Sequence, residues 1–138
     1  MRSALVDANV LVGYLDADDG LHERSLAGLS ATTGDLVTTW PAITEAMHLL
    51  GRKGWAQQEA LLALLADGEV LVAGLGTEDL PRLRALMSKY KNRPMDLADA
   101  SLIRVAERDG IDTIVTLDRD FQVYRAAGIG ALKILPKP

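Results

Sequence analysis

The chain has 138 residues, of which 49% are hydrophobic and 25% charged, and it contains no cysteine. This composition fits a single globular domain over residues 1–138 and excludes a disordered or fibrous protein. The lack of cysteine excludes disulfides, thiolate catalysis and cysteine-ligated zinc. A formal net charge of −4 offers no overall attraction to nucleic acid, so such a contact needs a local basic patch.

Membrane insertion and secretion are not predicted. No apolar run approaches the ~18–20 residues that cross a bilayer. Asp7 interrupts the N-terminal apolar segment too early for the centre of a signal peptide. We therefore expect a soluble, cytoplasmic protein without a membrane partner.

Short apolar runs predict five strands. In chain order they cover residues 4–6, 36–39, 70–73, 113–117 and, more weakly, 131–135. The runs are apolar at successive rather than alternate positions, which is typical of strands covered on both faces.

Helices are predicted between these strands. Their approximate ranges are residues 9–15, 21–31, 39–52, 55–66, 77–89 and 96–110. The third has Pro41 in its first turn, which is a common feature of helix starts. The alternation predicts an α/β fold, with helices on both faces of a parallel sheet. The ligand crevice of such a sheet lies beyond the carboxyl ends of its strands.

Acidic residues follow the predicted strands. Asp7 comes directly after the first strand, and Asp118 directly after the fourth, with Asp120 two residues later. Glu45 lies in the first turns of the helix that follows the second strand. We therefore expect these carboxylates at the same rim of the sheet.

The last predicted helix adds a further pair of acids to this rim. Asp96 and Asp99 lie three residues apart at its start, on adjacent positions of one face. Repulsion among so many carboxylates favours a bound cation. Oxygen donors without cysteine, and with only two histidines in the chain, fit Mg²⁺ or Mn²⁺ better than zinc. Structural roles compete, with Asp96 as a helix N-cap and Asp118 as a turn former.

Four segments resemble the PIN-domain family, specifically its VapC-like toxin ribonucleases. They are residues 5–11, 44–46, 96–103 and 116–121, and their order and spacing extend the resemblance over essentially the whole chain. The resemblance implies a PIN-like three-layer α/β/α fold with a central parallel sheet. It also implies Mg²⁺- or Mn²⁺-dependent endoribonuclease activity, a homodimer, and inhibition by a cognate antitoxin protein.

The resemblance also implies which residues form the metal site. The four metal-binding acids carried over from the family are Asp7, Glu45, Asp99 and Asp118. Asn9 matches the small polar residue that supports the first acid, and we predict Thr116 as a second supporting residue. Asp96 competes with Asp99, and Asp120 with Asp118, so both stay open as ligands.

A metal-assisted hydrolysis needs neither a thiol nor a serine–histidine triad. One ion, or two about 3.5–4 Å apart, activates a bound water and offsets the charge of the phosphate. We assign Asp7, Asp99 and Asp118 to the metal, and Glu45 to a second metal or to orienting the attacking water.

Two further functions fit the same sequence. A non-catalytic PIN-like interaction module would use its acids to hold structure or to bind a partner's arginines. A housekeeping PIN nuclease would cleave RNA without an antitoxin. An open reading frame for a small DNA-binding protein beside this gene would favour the toxin.

One stretch before Asp96 is basic. It holds five basic residues and no acid, and these are Arg82, Arg84, Lys89, Lys91 and Arg93. The stretch is predicted either to bind the RNA backbone beside the acidic site or to form a solvated helix face and loop.

Overall fold

A five-stranded parallel sheet forms the centre of the fold. The computed structural model describes residues 2–138, and Met1 of the predicted domain lies outside the described residues. The strands are β1 (Ala4–Val6), β2 (Leu36–Thr39), β3 (Leu71–Ala73), β4 (Thr113–Val115) and β5 (Lys133–Leu135). All neighbours pair in parallel, in the order β3-β2-β1-β4-β5. The predicted parallel sheet is confirmed.

Helices cover this sheet in the three-layer α/β/α arrangement that the sequence predicted. Within residues 2–138 they are α1 (Ala8–Leu15), α2 (His22–Ser30), α3 (Trp40–Leu50), α4 (Trp55–Ala66), α5 (Leu80–Lys89) and α6 (Leu97–Asp109). Short 3₁₀ helices, Thr77–Asp79 and Arg119–Gln122, precede α5 and follow β4. None of these described helices combines the length and the apolar character needed to cross a membrane.

The strands differ in how deeply they are buried. Every residue of β1 and β4 is buried, as their continuous apolar runs predicted. The prediction of full cover is wrong for β3, where Leu71 is 44% exposed. The reason is its position, since β3 is an edge strand with a neighbouring strand on one side only.

The strand order creates a crevice beside β1. The chain runs outward from β1 to β2 and β3, and then returns to place β4 on the other side of β1. Leu5 accordingly pairs with Val37 on one side and with Ile114 on the other. In open α/β sheets, ligands bind at the carboxyl ends of strands where the order reverses in this way. The topology therefore points to the ends of β1 and β4, where Asp7 and Asp118 follow.

Helix α6 is fixed at both of its ends. The Asp96 side chain caps the N-terminus by accepting a hydrogen bond from the Asp99 N–H at 2.8 Å. Gly110 ends the helix with a φ of 69°, a left-handed conformation that favours glycine. The predicted cap role of Asp96 is confirmed.

An ion-pair network ties α6 to the segment before α5. Asp79 is fully buried and accepts hydrogen bonds from Arg104 at 2.8 Å, from Arg108 at 3.1 Å and from the Gly76 N–H at 2.9 Å. The Gly76 bond, with help from Arg104, keeps the pKa of Asp79 below its usual range. The ionised network holds in place the helix that carries Asp99.

Candidate metal centre

Three carboxylates converge at the carboxyl ends of β1 and β4. Asp7, Asp99 and Asp118 each offer an oxygen, and these oxygens all lie within 4.8 Å of one another. Oxygens on opposite sides of a hard divalent cation, each at 2.0–2.6 Å, lie about 4–5 Å apart. The donor set is entirely oxygen, so both its spacing and its chemistry fit such a cation.

Asp7 is the most enclosed member of the group. Its side chain is 4% exposed, and Oδ1 accepts a hydrogen bond from the Ala8 N–H at 2.8 Å, which caps α1. Burial raises the pKa of Asp7 to about 7, repulsion from Glu45 and Asp118 adds to this, and its hydrogen bonds oppose it. A cation in the cavity would supply the positive charge that the ionised form needs.

Asp99 lies in the first turn of α6 and belongs to the same group of carboxylates. The Tyr124 hydroxyl donates to its Oδ2 at 3.2 Å. Burial, followed by repulsion from Asp96, Asp7 and Asp118, raises the pKa of Asp99 well above its usual range. Burial also raises the pKa of the Tyr124 phenol, which therefore stays protonated as a donor.

Sequence reasoning missed Tyr124. The side chain is completely buried and packs edge-on against Phe121 and Tyr90, with ring centroids 5.1 Å and 5.0 Å away. The one available signal was the spacing of Phe121 and Tyr124, three residues apart just after Asp118. Nothing in that spacing indicates that the Tyr124 hydroxyl reaches the carboxylate of Asp99 on α6.

Thr116 and Asn9 lie where support for the acids was expected. The Thr116 hydroxyl donates to Asp7 Oδ2 at 2.7 Å and accepts from the Asp118 N–H at 3.0 Å. The Asn9 side-chain carbonyl accepts from the Leu117 N–H at 3.4 Å. Thr116 thus links the ends of β1 and β4 and fixes two carboxylates relative to each other.

The remaining acids line the same cavity, of about 210 Å³, but lie outside the group of three. Asp96 uses Oδ1 to cap α6, and Asp120 accepts a hydrogen bond from Arg93 at 3.3 Å. Only Asp99 and Asp118 of the competing pairs belong to the group of three, and this geometry favours Asp99 over Asp96, and Asp118 over Asp120, as ligands. Asp118 also forms the predicted turn, since its Oδ1 accepts from the Asp120 N–H at 2.9 Å.

Glu45 occupies the exposed rim of this cavity. It lies in the second turn of α3, which begins directly after β2. Partial burial, with repulsion from Asp96 and Asp118, raises the pKa of Glu45 above its usual value. This position suits a group that contacts solvent or substrate more than it suits an inner ligand.

The basic stretch does not form one surface at the site. Arg93 lines the acidic cavity. Arg82 instead donates two hydrogen bonds to the Glu107 carboxylate, from Nε at 3.0 Å and from Nη2 at 2.7 Å. The other members, Arg84, Lys89 and Lys91, are exposed and do not line the cavity. Of the five, Arg93 alone is placed to meet a ligand there.

Metal binding is expected to stabilise the protein, and more so at high pH. Raised carboxyl pKa values mean that the metal-free native state holds protons that the unfolded chain has released. Its stability therefore falls as pH rises from about 4, the ordinary Asp value, through the Asp7 value of about 7. A cation removes this penalty and contributes about 2.7 kcal/mol at 100 times its Kd. Melting curves with millimolar Mg²⁺ or Mn²⁺ should rise by several degrees near pH 8, and by less near pH 5.5.

The control for this prediction is a double variant that removes two carboxylates outside the acidic cavity. Asp7→Asn with Asp118→Asn should lose most of the metal-induced rise, whereas Asp67→Asn with Glu69→Gln, two exposed acids outside the cavity, should keep it. An equal rise in both double variants would mean that the metal acts through general screening.

Comparisons with known proteins find relatives along nearly the whole chain. A sequence profile of the PIN domain matches residues 4–127. The chain is 28% identical over 134 residues to Ribonuclease VapC26 of Mycobacterium tuberculosis, and the match covers 96% of this chain and 99% of that protein.

Solved structures show the same fold. VapC20 of Mycobacterium tuberculosis, described as a toxin that cleaves the sarcin-ricin loop, gives a TM-score of 0.81 at 20% identity, covering 94% of this chain and 98% of that one. A toxin–antitoxin complex from Klebsiella pneumoniae gives a TM-score of 0.68 at 20% identity, covering 96% of this chain and 95% of that one. VapBC2 of Rickettsia felis, bound to a promoter DNA fragment, gives a TM-score of 0.65 at 13% identity, covering 96% of this chain and 97% of that one.

Proposed function

This chain belongs to the PIN-domain family, and we propose that it is a metal-dependent endoribonuclease, the toxin of a type II toxin–antitoxin pair. The observation that carries the proposal is the convergence of Asp7, Asp99 and Asp118 at the ends of β1 and β4. Similarity to Ribonuclease VapC26 along nearly the whole of both chains supports the reaction class. The substrate is then RNA, and the expected compartment is the cytoplasm.

We assign the metal, Mg²⁺ or Mn²⁺, to Asp7, Asp99 and Asp118. When bound, the ion lowers the pKa of a coordinated water and offsets charge on the phosphate. Thr116 and Tyr124 keep two of these carboxylates in position through their hydroxyl groups. Such supporting contacts typically change metal affinity or activity by about 10–100-fold.

Glu45 is the residue that we assign to the attacking water. Its carboxylate lies at the open side of the cavity and carries a raised pKa, so it can orient a water and accept its proton. As the water oxygen bonds to phosphorus, the bond from phosphorus to the leaving oxygen of the RNA breaks on the opposite side, and that oxygen takes up a proton from solvent. A second metal at Glu45 is the alternative, and it changes the metal stoichiometry from one to two.

Cleavage of RNA is expected to need Mg²⁺ or Mn²⁺ and to stop with EDTA. The reason is that no thiol is present and the cavity holds carboxylates without a histidine. A labelled single-stranded or structured RNA, incubated with protein free of any antitoxin, gives the measurement. Asp7→Asn protein purified in parallel controls for contaminating nucleases. Cleavage that persists after rigorous chelation would contradict the metal mechanism.

We further propose that the chain forms a homodimer and binds a cognate antitoxin. Three exposed apolar side chains, Trp40, Leu80 and Leu97, line one shallow cavity beside the acidic site. Apolar surface of this kind often marks a protein interface. Light scattering of the isolated chain tests the dimer, and inhibition of cleavage by the product of the adjacent gene tests the antitoxin.

The same experiments separate the two rival functions. A housekeeping nuclease would cleave RNA but have no inhibitory neighbour. A non-catalytic module would bind its partner but would cleave no RNA in the presence of either Mg²⁺ or Mn²⁺.

A further inference from the structure

A second cavity of about 210 Å³ adjoins the metal centre. Its wall is built from α2, the residues that follow β4, and the C-terminal residues after β5. Asp118 lines both this cavity and the acidic one, so the two share a wall at the end of β4. Because this second cavity also contains Arg24 and Arg119, we name it the arginine cavity.

The two arginines are unpaired. Arg24 lies on α2 and Arg119 directly follows Asp118, and both are exposed. Within residues 2–138 neither forms a salt bridge, whereas Arg82, Arg104 and Arg108 are each held by an acid. Their guanidinium groups are therefore free to bind an anion.

We propose that the arginine cavity binds a phosphate of the RNA backbone that neighbours the scissile phosphate. This inference rests on the proposed nuclease function. The planar guanidinium donates two parallel hydrogen bonds to phosphate oxygens, which makes arginine well suited to this contact. Since Asp118 separates the two cavities, a strand with one phosphate at the metal centre can place the next at Arg24 and Arg119.

The cavity also accounts for how an acidic protein holds RNA. The net charge of −4 repels the backbone, and the predicted basic stretch contributes only Arg93 to the acidic cavity. Local cationic contacts supply most of the sequence-independent affinity for nucleic acid. Arg24 and Arg119 line the cavity beside Asp118 and Arg93 lines the acidic cavity itself, so cationic groups are present in both cavities.

An acidic segment of a protein partner is the competing ligand. The arginine cavity is small and directly adjoins the metal centre, whereas the exposed apolar surface that protein interfaces use lies at Trp40, Leu80 and Leu97. These observations favour the RNA phosphate.

The test measures binding of a fluorescent single-stranded RNA of mixed sequence to the Asp7→Asn protein, in which we expect cleavage to be abolished. Adding Arg24→Ala and Arg119→Ala should weaken binding roughly tenfold. The slope of log Kd against log salt should fall by about 0.7, the value for one phosphate of a single strand. With Asp7 intact, the arginine variants should bind Mn²⁺ as tightly as the unmodified chain, because neither arginine belongs to the group of three carboxylates.

The matched control removes two other exposed arginines. Arg2 precedes β1 and Arg52 follows α3, so both lie at the opposite edge of the sheet. Arg2→Ala with Arg52→Ala removes the same charge and should leave both the Kd and the salt slope nearly unchanged. Equal losses in the two double variants would overturn the proposal, because they would indicate a general charge effect.

An unchanged RNA Kd and salt slope after loss of Arg24 and Arg119 would also overturn it. If the same variant lost binding to a polyglutamate peptide, the arginine cavity would be assigned to a protein partner. Cleavage by the unmodified chain, measured in parallel, separates the two claims. If RNA is cleaved with metal but loss of Arg24 and Arg119 leaves the RNA Kd unchanged, the nuclease function stands and only the role of the arginine cavity is wrong.

Discussion

Replacing Asp7 by asparagine is expected to abolish RNA cleavage while preserving the fold. Asp7 is the most buried of the three clustered carboxylates, and the change removes its charge without changing its size. Loss of contacts that merely support a metal ligand already costs about 10–100-fold. Loss of a ligand itself should therefore lower the cleavage rate by at least ~100-fold, measured as initial rate on a labelled RNA.

The fold should survive because asparagine can make the same contacts. Its carbonyl accepts from the Ala8 N–H, and its amide can donate to the Thr116 hydroxyl oxygen. Removal of a buried acid with a pKa of about 7 should even raise the metal-free melting temperature near pH 8. Asp67→Asn, at an exposed position after α4, is the matched control and should cleave normally. Wild-type cleavage by the Asp7 variant would mean that the site is misplaced.

Asp99 and Asp96 should respond in opposite ways. Asp99→Asn is expected to lose metal-dependent cleavage to a similar extent as the Asp7 variant, because Asp99 belongs to the clustered group. Asp96→Asn should retain most of the activity, since asparagine is as good an N-cap as aspartate. Asp96→Ala should lose about 1 kcal/mol of stability, measured by urea unfolding, because it removes the cap of α6.

The opposite outcome for the Asp96→Asn and Asp99→Asn variants would change which residue of this pair holds the metal. If Asp96→Asn stopped cleavage and Asp99→Asn did not, the metal would be held one helical turn earlier on α6 than we propose. Cleavage that depends equally on both acids would indicate that Asp96 joins the metal site when RNA binds.

Much of this architecture could be predicted because local signals agree with the global fold. The continuous apolar runs of β1 and β4 reflect real burial on both faces. A parallel sheet then brings the acids after those strands, Asp7 and Asp118, to one edge. The start of α6 could also be predicted, since aspartate is a favoured N-cap residue and Asp96 occupies that position.

The finer features depend on contacts between distant segments. The bond from Tyr124 to Asp99 joins two residues 25 apart, and its geometry arises only once β4 and α6 are packed. The choice between Asp96 and Asp99 likewise depends on the rotation of α6 about its axis. The network of Asp79 with Arg104 and Arg108 holds α6 against the segment before α5, and no sequence spacing reveals it.

The most direct test of the account is a crystal structure of the chain soaked with Mn²⁺, recorded for anomalous scattering. We predict an anomalous peak bound by oxygens of Asp7, Asp99 and Asp118, at the ends of β1 and β4. A peak held by other residues, or none at these three carboxylates under millimolar Mn²⁺, would contradict the proposed metal centre.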